Sequence, residues 1–176
     1  MATELREWRQ TYNGEEYLAS TSRSLIQLPF IDRAFSDPLM YWTNTAPYHD
    51  LSTMLDHSCN ICIYQVQKTK CPTDASDSEP KLQQVGLARL ITDYITFAYL
   101  TDVYVAPECQ GRGLGKWLIK CVREVMLAMP QLRRTMLLTG HPKSVALYEQ
   151  ELDLSVHKTV DPEQGLVVME GKPKAE

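Results

Sequence analysis

One stretch of sequence, residues 103 to 116, guides the interpretation of the whole chain. It reads Val103-Tyr104-Val105-Ala106-Pro107-Glu108-Cys109-Gln110-Gly111-Arg112-Gly113-Leu114-Gly115-Lys116. Pro107 predicts the end of a strand, because proline has no N–H to give to a sheet ladder. Apolar residues then recur at helical spacing from Leu114 to Met129, which predicts a helix over residues 111 to 129 that Pro130 closes. The glycines therefore lie where a strand passes into a helix.

A junction of this kind is suited to binding an anion. The first N–H groups of a helix have no intrahelical partner, and the helix dipole favours negative charge there. Glycines at 111, 113 and 115 would let the backbone approach a phosphate closely, and Arg112 and Lys116 would add two cations. The simpler alternative is a glycine-rich turn that only starts a helix. The alternating glycines with two cations favour a phosphate site.

The spacing of the glycines excludes two common nucleotide motifs. A P-loop requires four residues between its glycines and a Ser or Thr after its lysine, whereas three residues separate Gly111 from Gly115 and Trp117 follows Lys116. The Rossmann fingerprint G-x-G-x-x-G places its third glycine one residue later than Gly115. The strand before the glycines is also predicted to belong to an antiparallel hairpin, which a Rossmann βαβ unit does not contain.

The remaining elements follow from hydrophobic periodicity and turn residues. Before the junction we expect strands at 17–20, 59–67, 81–92 and 96–105, helices at 24–35 and 49–57, and a flexible hairpin loop at 68–80. After it we expect a strand at 134–139, a helix at 142–150 and two strands at 152–158 and 166–170. This order predicts an α/β fold with a central sheet, in a single domain over residues 1–176.

The composition is that of a globular protein and excludes several classes. No run of 18 apolar residues and no secretory signal is present, so we expect no membrane partner. A net charge of −4 argues against a nucleic-acid partner. The odd number of cysteines, five, favours reduced thiols and a cytoplasmic location. Cys59 and Cys62 have C-x-x-C spacing without a second pair or a histidine cluster, so we expect no metal site and buried packing instead.

Two stretches of the sequence carry a specific resemblance to a known family. The stretch from Val103 to Pro107, followed by Gln110 to Gly115, resembles motif A of the GNAT acetyltransferases, [Q/R]-x-x-G-x-[G/A]. Ala146-Leu147-Tyr148-Glu149 resembles the A-x-x-L-Y-E helix of that family, and the patterns TDYxTFAYLxDV and QGxGLGKWL resemble a small subgroup of it. The resemblance implies the GNAT fold: a mixed, mostly antiparallel sheet of about six to seven strands, flanked by about four helices.

The same resemblance implies acetyl-CoA as the donor and assigns residues to it. The backbone of Val103, Tyr104 and Val105 would bind the pantetheine arm. Backbone N–H groups of Gln110, Gly111, Arg112, Gly113, Leu114, Gly115 and Lys116 would bind the pyrophosphate, and Thr139, Ser144 and Leu147 would add further coenzyme contacts. Tyr148 would protonate the departing thiolate, which suits a phenol with an ordinary pKa of about 10. Where the family usually has an Asn, this chain has His141-Pro142-Lys143-Ser144.

The acceptor and the general base are less well defined by the sequence. A regular strand would place Tyr99 and Thr101 on the face of Val103 and Val105, whereas a bulge would reverse this alternation. Asp102 is therefore a candidate base, as is Asp93, and a base acting through water is equally open. By resemblance, Tyr41, Trp42 and Tyr99 would contact the acceptor.

The resemblance thus implies direct acetyl transfer from acetyl-CoA to a primary amine of a small molecule or peptide, within a ternary complex. The alternative is an inactive GNAT-fold module that binds CoA as a sensor or interaction partner. A homodimer is left open.

Overall fold

The computed structural model describes residues 5–67 and 80–156, which form a six-stranded sheet in the order β1-β2-β3-β4-β5-β6. The strands are β1 (Glu7–Tyr12), β2 (Glu15–Ser20), β3 (Cys59–Gln67), β4 (Lys81–Thr92), β5 (Phe97–Val105) and β6 (Arg134–Leu137). The helices of the described ranges are α1 (Leu28–Phe35), α2 (Tyr48–Asp56), α3 (Leu114–Leu127) and α4 (Pro142–Leu152). Among the strands of the described residues, only β5 and β6 pair in parallel. The predicted α/β class and the mixed, mostly antiparallel sheet are confirmed.

The sheet begins with a hairpin of which the sequence predicted only the second half. β1 and β2 pair from Glu7 opposite Ser20 to Tyr12 opposite Glu15. Asn13 and Gly14 form the turn with φ of 51° and 78°, as Asn-Gly does in two-residue hairpins. β1 was missed because it is an edge strand with no buried residue, and its sequence therefore lacks the hydrophobic alternation that identifies a strand.

Helices α1 and α2 cover one face of the sheet. α1 begins at Leu28, with Pro29 in its first turn, and a separate 3-10 turn occupies Arg23–Leu25. The predicted helix from residue 24 is therefore wrong in its first turn. The chain is extended at Gln27, so Pro29 lies in the first turn of α1, where its missing N–H leaves no helical hydrogen bond unmade. The apolar stripe of α1 packs against α2 and the sheet in one core cluster.

Helices α3 and α4 cover the opposite face. α3 begins at Leu114 and not at residue 111, because Gly113 precedes it in the left-handed conformation with φ of 84°. α4 continues to the buried Leu152 and ends at Asp153, whose φ is 56°. The predicted strand from residue 152 is therefore wrong at its start. Its last two residues, the predicted strand at 166–170 and the predicted loop up to residue 79 lie outside the described residues.

Strands β3 and β4 have the predicted bounds, 59–67 and 81–92. Residues 59–64 of β3 are all buried, because helices cover both faces of the sheet. Cys59 joins the core under α3, whereas Cys62 joins the core under α1 and α2. The two thiols of the C-x-x-C pair thus lie on opposite faces of the sheet, where both act as core packing residues.

A bulge in β5 sets the direction of its side chains. The register moves from Leu87 opposite Tyr104 to Arg89 opposite Thr101, so Asp102 and Val103 share one partner position, and Asp102 has φ of 51°. Ala98 and Leu100 before the bulge, and Val103 and Val105 after it, pack in the core under α3. Tyr99 and Thr101 therefore lie on the opposite face from Val103. The expectation for a regular strand is wrong, and the bulged alternative is correct.

No helix of the described ranges is long and apolar enough to span a membrane.

Candidate active site

The glycine-rich loop presents open backbone at the start of α3. The first helical hydrogen bond runs from the N–H of Trp117 to the Gly113 carbonyl at 3.1 Å, so the N–H groups of Leu114, Gly115 and Lys116 precede the helical ladder. A Cβ placed on Gly111 or Gly115 would have no atom within 4 Å. The loop thus leaves space beside a row of N–H donors, as an anion site requires.

The two cations of this loop are already paired. Arg112 donates to Glu15 of β2, to the Tyr17 hydroxyl at 3.1 Å and to the Glu108 carbonyl at 3.0 Å. Lys116 lies 3.0 Å from Glu151 of α4. The sequence predicted that both side chains would be available to a phosphate, but the structure gives each a carboxylate partner. The attraction for an anion therefore rests mainly on backbone N–H groups and the dipole of α3.

Next to this loop, β5 and β6 part. Their pairing covers only the first residues of β5 and ends at Leu100 opposite Leu137. Val103, Tyr104 and Val105 follow this last pair and have no β6 partner in the described chain. Gln110 donates to the Val105 carbonyl at 2.9 Å, which ties the loop to the strand end. The predicted pantetheine strand therefore has an edge without a β6 partner in the described residues. We call this unpaired edge, which runs from Leu100 to the glycine-rich loop, the opening between β5 and β6.

Helix α4 supplies the predicted proton donor. Tyr148 and Leu147 are half-buried and pack against the core under α3. Burial raises the pKa of Tyr148, so its phenol stays protonated at neutral pH. The helix begins with His141, whose Nδ1 accepts from the Lys143 N–H at 3.2 Å in place of an Asn side chain. Ser144 is half-buried in the first turn of α4, and Thr139 is exposed in the link after β6.

An aromatic pair on the other face of the sheet reaches both sides of the opening. The rings of Tyr41 and Trp42 meet edge to face with centroids 5.1 Å apart, and the residues are 77% and 49% exposed. Trp42 Nε1 donates to Asp102 Oδ1 at 3.3 Å. A Cβ on Gly140, in the link between β6 and α4, would lie 3.3 Å from the Tyr41 hydroxyl. The pair therefore extends from the β5 bulge to the β6–α4 link.

Asp102 is held in place by donors on three sides. Arg89 of β4 donates from Nε to Oδ2 at 2.6 Å, with the side chains only 13% and 5% exposed. Thr101 Oγ1 donates to Oδ1 at 3.1 Å, alongside Trp42. The sequence did not predict Arg89, because its partner depends on the cross-strand register at the bulge. Tyr99 is half-buried, with Ile91 and Met136 as its strand neighbours.

The second candidate base, Asp93, serves the β4–β5 turn. Its Oδ1 accepts from the N–H groups of Ile95, Thr96 and Phe97 at 3.0, 2.7 and 3.1 Å. The Thr96 hydroxyl donates to Oδ2 at 2.6 Å. These hydrogen bonds lower the pKa of Asp93, so its carboxylate is a poor proton acceptor and a good turn cap.

A cavity of about 520 Å³ opens beside the end of β5, on the face covered by α1. Its lining includes Asp37, Gln84, Tyr104 and Glu108. The Tyr104 hydroxyl donates to Asp37 Oδ2 at 2.7 Å. Together with the Leu39 N–H, this bond lowers the pKa of Asp37, so the carboxylate is ionised at neutral pH. The cavity is thus a polar recess beside the end of β5.

Comparison with known proteins places this geometry in a family. A sequence model of the Acetyltransferase (GNAT) family matches residues 3–153. A Gibberella zeae protein described as a candidate acetyltransferase is 33% identical over 162 residues, covering 90% of each chain. A Xanthomonas campestris structure, described as a candidate GNAT acetyltransferase, is 30% identical with a TM-score of 0.62, covering 89% of this chain and 92% of that one.

A more distant structure has the same fold. Spermidine N-acetyltransferase from Vibrio cholerae, solved with CoA and spermine, is 20% identical with a TM-score of 0.54, covering 84% of this chain and 79% of that one. The family match includes every described strand and helix and the glycine-rich loop at the start of α3. The chain therefore belongs to the GNAT family of acetyltransferases and is an acyltransferase.

Proposed function

We propose that this protein transfers the acetyl group of acetyl-CoA to a primary amine, by direct attack in a ternary complex. The observation that carries the proposal is the adjacency of two features. The open N–H row at the start of α3 suits a pyrophosphate, and the exposed strand edge beyond Leu100 suits the amide-bearing pantetheine arm. In family members of this fold these features bind CoA, and we assign them the same role here.

For the donor, the proposed contacts follow the order of the coenzyme. Backbone groups of Val103 to Val105 receive the pantetheine amides, and N–H groups of residues 111 to 116 hold the pyrophosphate. The Gln110 N–H donates to the Pro107 carbonyl at 3.2 Å, so the sequence prediction for this residue is not kept. The Tyr104 side chain is engaged with Asp37 on the α1 face, so Tyr104 contributes through its backbone. Thr139, Ser144 and Leu147, in and before α4, would border the coenzyme on the β6 side.

For the acceptor, we propose the space between the Tyr41–Trp42 pair and the β5 bulge. Exposed aromatic rings attract an ammonium group, and the Asp102 carboxylate beside Trp42 adds a hydrogen-bond acceptor. The cavity at Asp37 and Tyr104 continues along β5 on the same face and offers room for the rest of the acceptor. In the Vibrio cholerae structure the same fold holds CoA together with spermine, which is an amine.

The chemistry needs no covalent enzyme intermediate. The amine nitrogen attacks the thioester carbonyl, the new C–N bond forms as the C–S bond breaks, and the Tyr148 phenol protonates the CoA thiolate. Asp102, whose oxygens already accept from Arg89, Thr101 and Trp42, orients the amine, a water molecule takes the amine proton, and solvent returns a proton to the Tyr148 phenolate. Cysteine nucleophiles are disfavoured, because burial raises the pKa of the Cys59 thiol to about 11 and that of the Cys62 and Cys121 thiols to about 12.

The decisive experiment measures CoA release from acetyl-CoA with a panel of primary amines. We expect turnover by the parent protein, together with a fall in kcat of at least about tenfold for Asp102→Asn at unchanged affinity for acetyl-CoA. Asp50→Asn, an exposed substitution in α2, controls for the loss of one carboxylate charge. Binding of acetyl-CoA without turnover of any amine would favour the second candidate, a CoA-binding module without catalysis. That candidate is motivated by the His141 cap and by the pairing of Asp102 with Arg89.

The remaining assignments belong to the same proposal. We propose that residues 1–176 form one acetyltransferase domain that acts in the cytoplasm. The net charge of −4 disfavours nucleic acid as a partner. Gel filtration of the purified chain would decide whether it forms a homodimer.

A further inference from the structure

The β1–β2 hairpin contacts the glycine-rich loop at two points. Arg112 of the loop donates to Glu15 and Tyr17 of β2, and the Tyr17 hydroxyl itself donates to Glu15 Oε2 at 2.7 Å. Tyr12, at the end of β1, packs its ring against Trp117 of α3 with centroids 6.2 Å apart. The hairpin thus packs against the loop and the first turn of α3 from one side.

The position of Arg112 within the loop determines what its contacts with the hairpin can do. Arg112 lies between Gly111 and Gly113, which have φ of 74° and 84°. Glycine loses more conformational entropy on ordering than any other residue, so we expect the backbone of the loop to change conformation at these two glycines. A Cβ on Gly113 would lie 3.3 Å from Cε1 of Tyr12, so the hairpin also packs closely against this glycine. A third contact, from Arg112 to the Glu108 carbonyl, closes the loop on itself.

We propose that Glu15 is a positioning residue for the coenzyme, acting through Arg112 to hold the glycine-rich loop in its phosphate-binding conformation. The inference rests on the proposed function of the loop. Three hydrogen bonds commit two nitrogens of the Arg112 guanidinium to Glu15, Tyr17 and Glu108, so we assign this side chain to ordering the loop and not to binding the phosphate. The affinity of a site that is ordered only part of the time falls by the ordered fraction. Loss of the Glu15 carboxylate therefore weakens CoA binding without removing any group that touches CoA.

The test compares Glu15→Gln with Glu16→Gln, which is a closely matched control. Glu16 neighbours Glu15 in β2 and also pairs with an arginine, but that arginine is Arg9 of β1, at 2.8 Å, and not a residue of the loop. We expect Glu15→Gln to raise the Kd for acetyl-CoA by about threefold to tenfold, the range for a partly exposed charged hydrogen bond. We expect Glu16→Gln to leave the Kd unchanged, and kcat at saturating acetyl-CoA to stay within about twofold for both.

A second readout does not depend on coenzyme binding. In the free protein, amide hydrogen exchange across residues 110–116 should be faster in Glu15→Gln than in the parent, and unchanged in Glu16→Gln. Tighter acetyl-CoA binding by Glu15→Gln would overturn the proposal, because it would show that Glu15 withholds Arg112 from the phosphate. Unchanged exchange across the loop would also overturn it, whatever happens to the melting temperature. Failure of the parent to bind acetyl-CoA would instead refute the proposed function, while the exchange measurement would still judge the ordering of the loop.

Discussion

The substitution Gly115→Glu separates coenzyme binding from folding in the glycine-rich loop. Gly115 lies in the first turn of α3, its φ is not positive, and an added Cβ would have no atom within 4 Å. Replacing a helical glycine with a longer residue gains about 0.5–1 kcal/mol of stability, and a carboxylate near a helix N-terminus adds about 0.3–1 kcal/mol. The melting temperature should therefore rise by about 2–8 °C. Gly113→Glu would be less informative, since its φ of 84° and the nearby Tyr12 ring would strain the fold.

The same substitution, Gly115→Glu, should weaken the binding of CoA. A carboxylate about 5 Å from one pyrophosphate charge costs about 3 kcal/mol at an effective dielectric constant of about 20. Salt and the partial exposure of the site reduce this to about 1–2 kcal/mol, or roughly a 5–30-fold rise in Kd. The new side chain would also occupy the space that a phosphate needs.

Isothermal titration with acetyl-CoA and a thermal melt of the free protein measure both quantities. Leu127→Glu is the control, since Leu127 is 73% exposed near the far end of the same helix, about 18 Å away at 1.5 Å per residue. It should leave the Kd unchanged. A folded Gly115→Glu variant that binds acetyl-CoA like the parent would refute the phosphate site at the start of α3.

Three further predictions concern the other parts of the site. Tyr148→Phe should lower kcat at least about tenfold with little change in the Kd for CoA, and equal kcat in both proteins would exclude the phenol as the acid. Because burial raises the pKa of Tyr148, the activity of the parent should persist up to pH values above the ordinary phenol pKa of about 10. Trp42→Ala should raise KM for the amine several-fold, whereas Tyr48→Ala, which removes an equally exposed aromatic ring, should not; equal effects would place the acceptor elsewhere. Because the pKa of Asp37 is lowered in the folded protein, its carboxylate contributes its full stabilisation above the unfolded carboxyl pKa of about 4 and loses it as the pH falls through the folded pKa. Asp37→Asn should therefore reduce the fall in melting temperature at acid pH, and an unchanged fall would contradict this linkage.

Local signals were sufficient to predict the elements that frame the site. β3 and β4 have the predicted bounds because apolar residues run along each strand and turn or loop residues interrupt the pattern at its ends. The junction of β5 with α3 was predicted because Pro107 and the glycines act on their own stretch of backbone. Two features were missed because their own stretch of sequence carries no signal for them. β1 has no buried residue and hence no period to detect, and the sequence could not show that the left-handed Gly113 delays the start of α3 until Leu114.

The sequence by itself therefore determined the fold class, the strand-to-helix junction and the candidate phosphate role of its glycines, since these depend on residues close together in the chain. The candidate role of Tyr148 came from the family resemblance. Only the tertiary structure decided which partners the charged residues take. Arg112 meets Glu15 across 97 positions of the chain, and Asp102 turns toward Arg89 and Trp42 because of a bulge that no periodicity records. Such pairings depend on sheet register and on the docking of a hairpin, which arise when distant segments bury their apolar faces together.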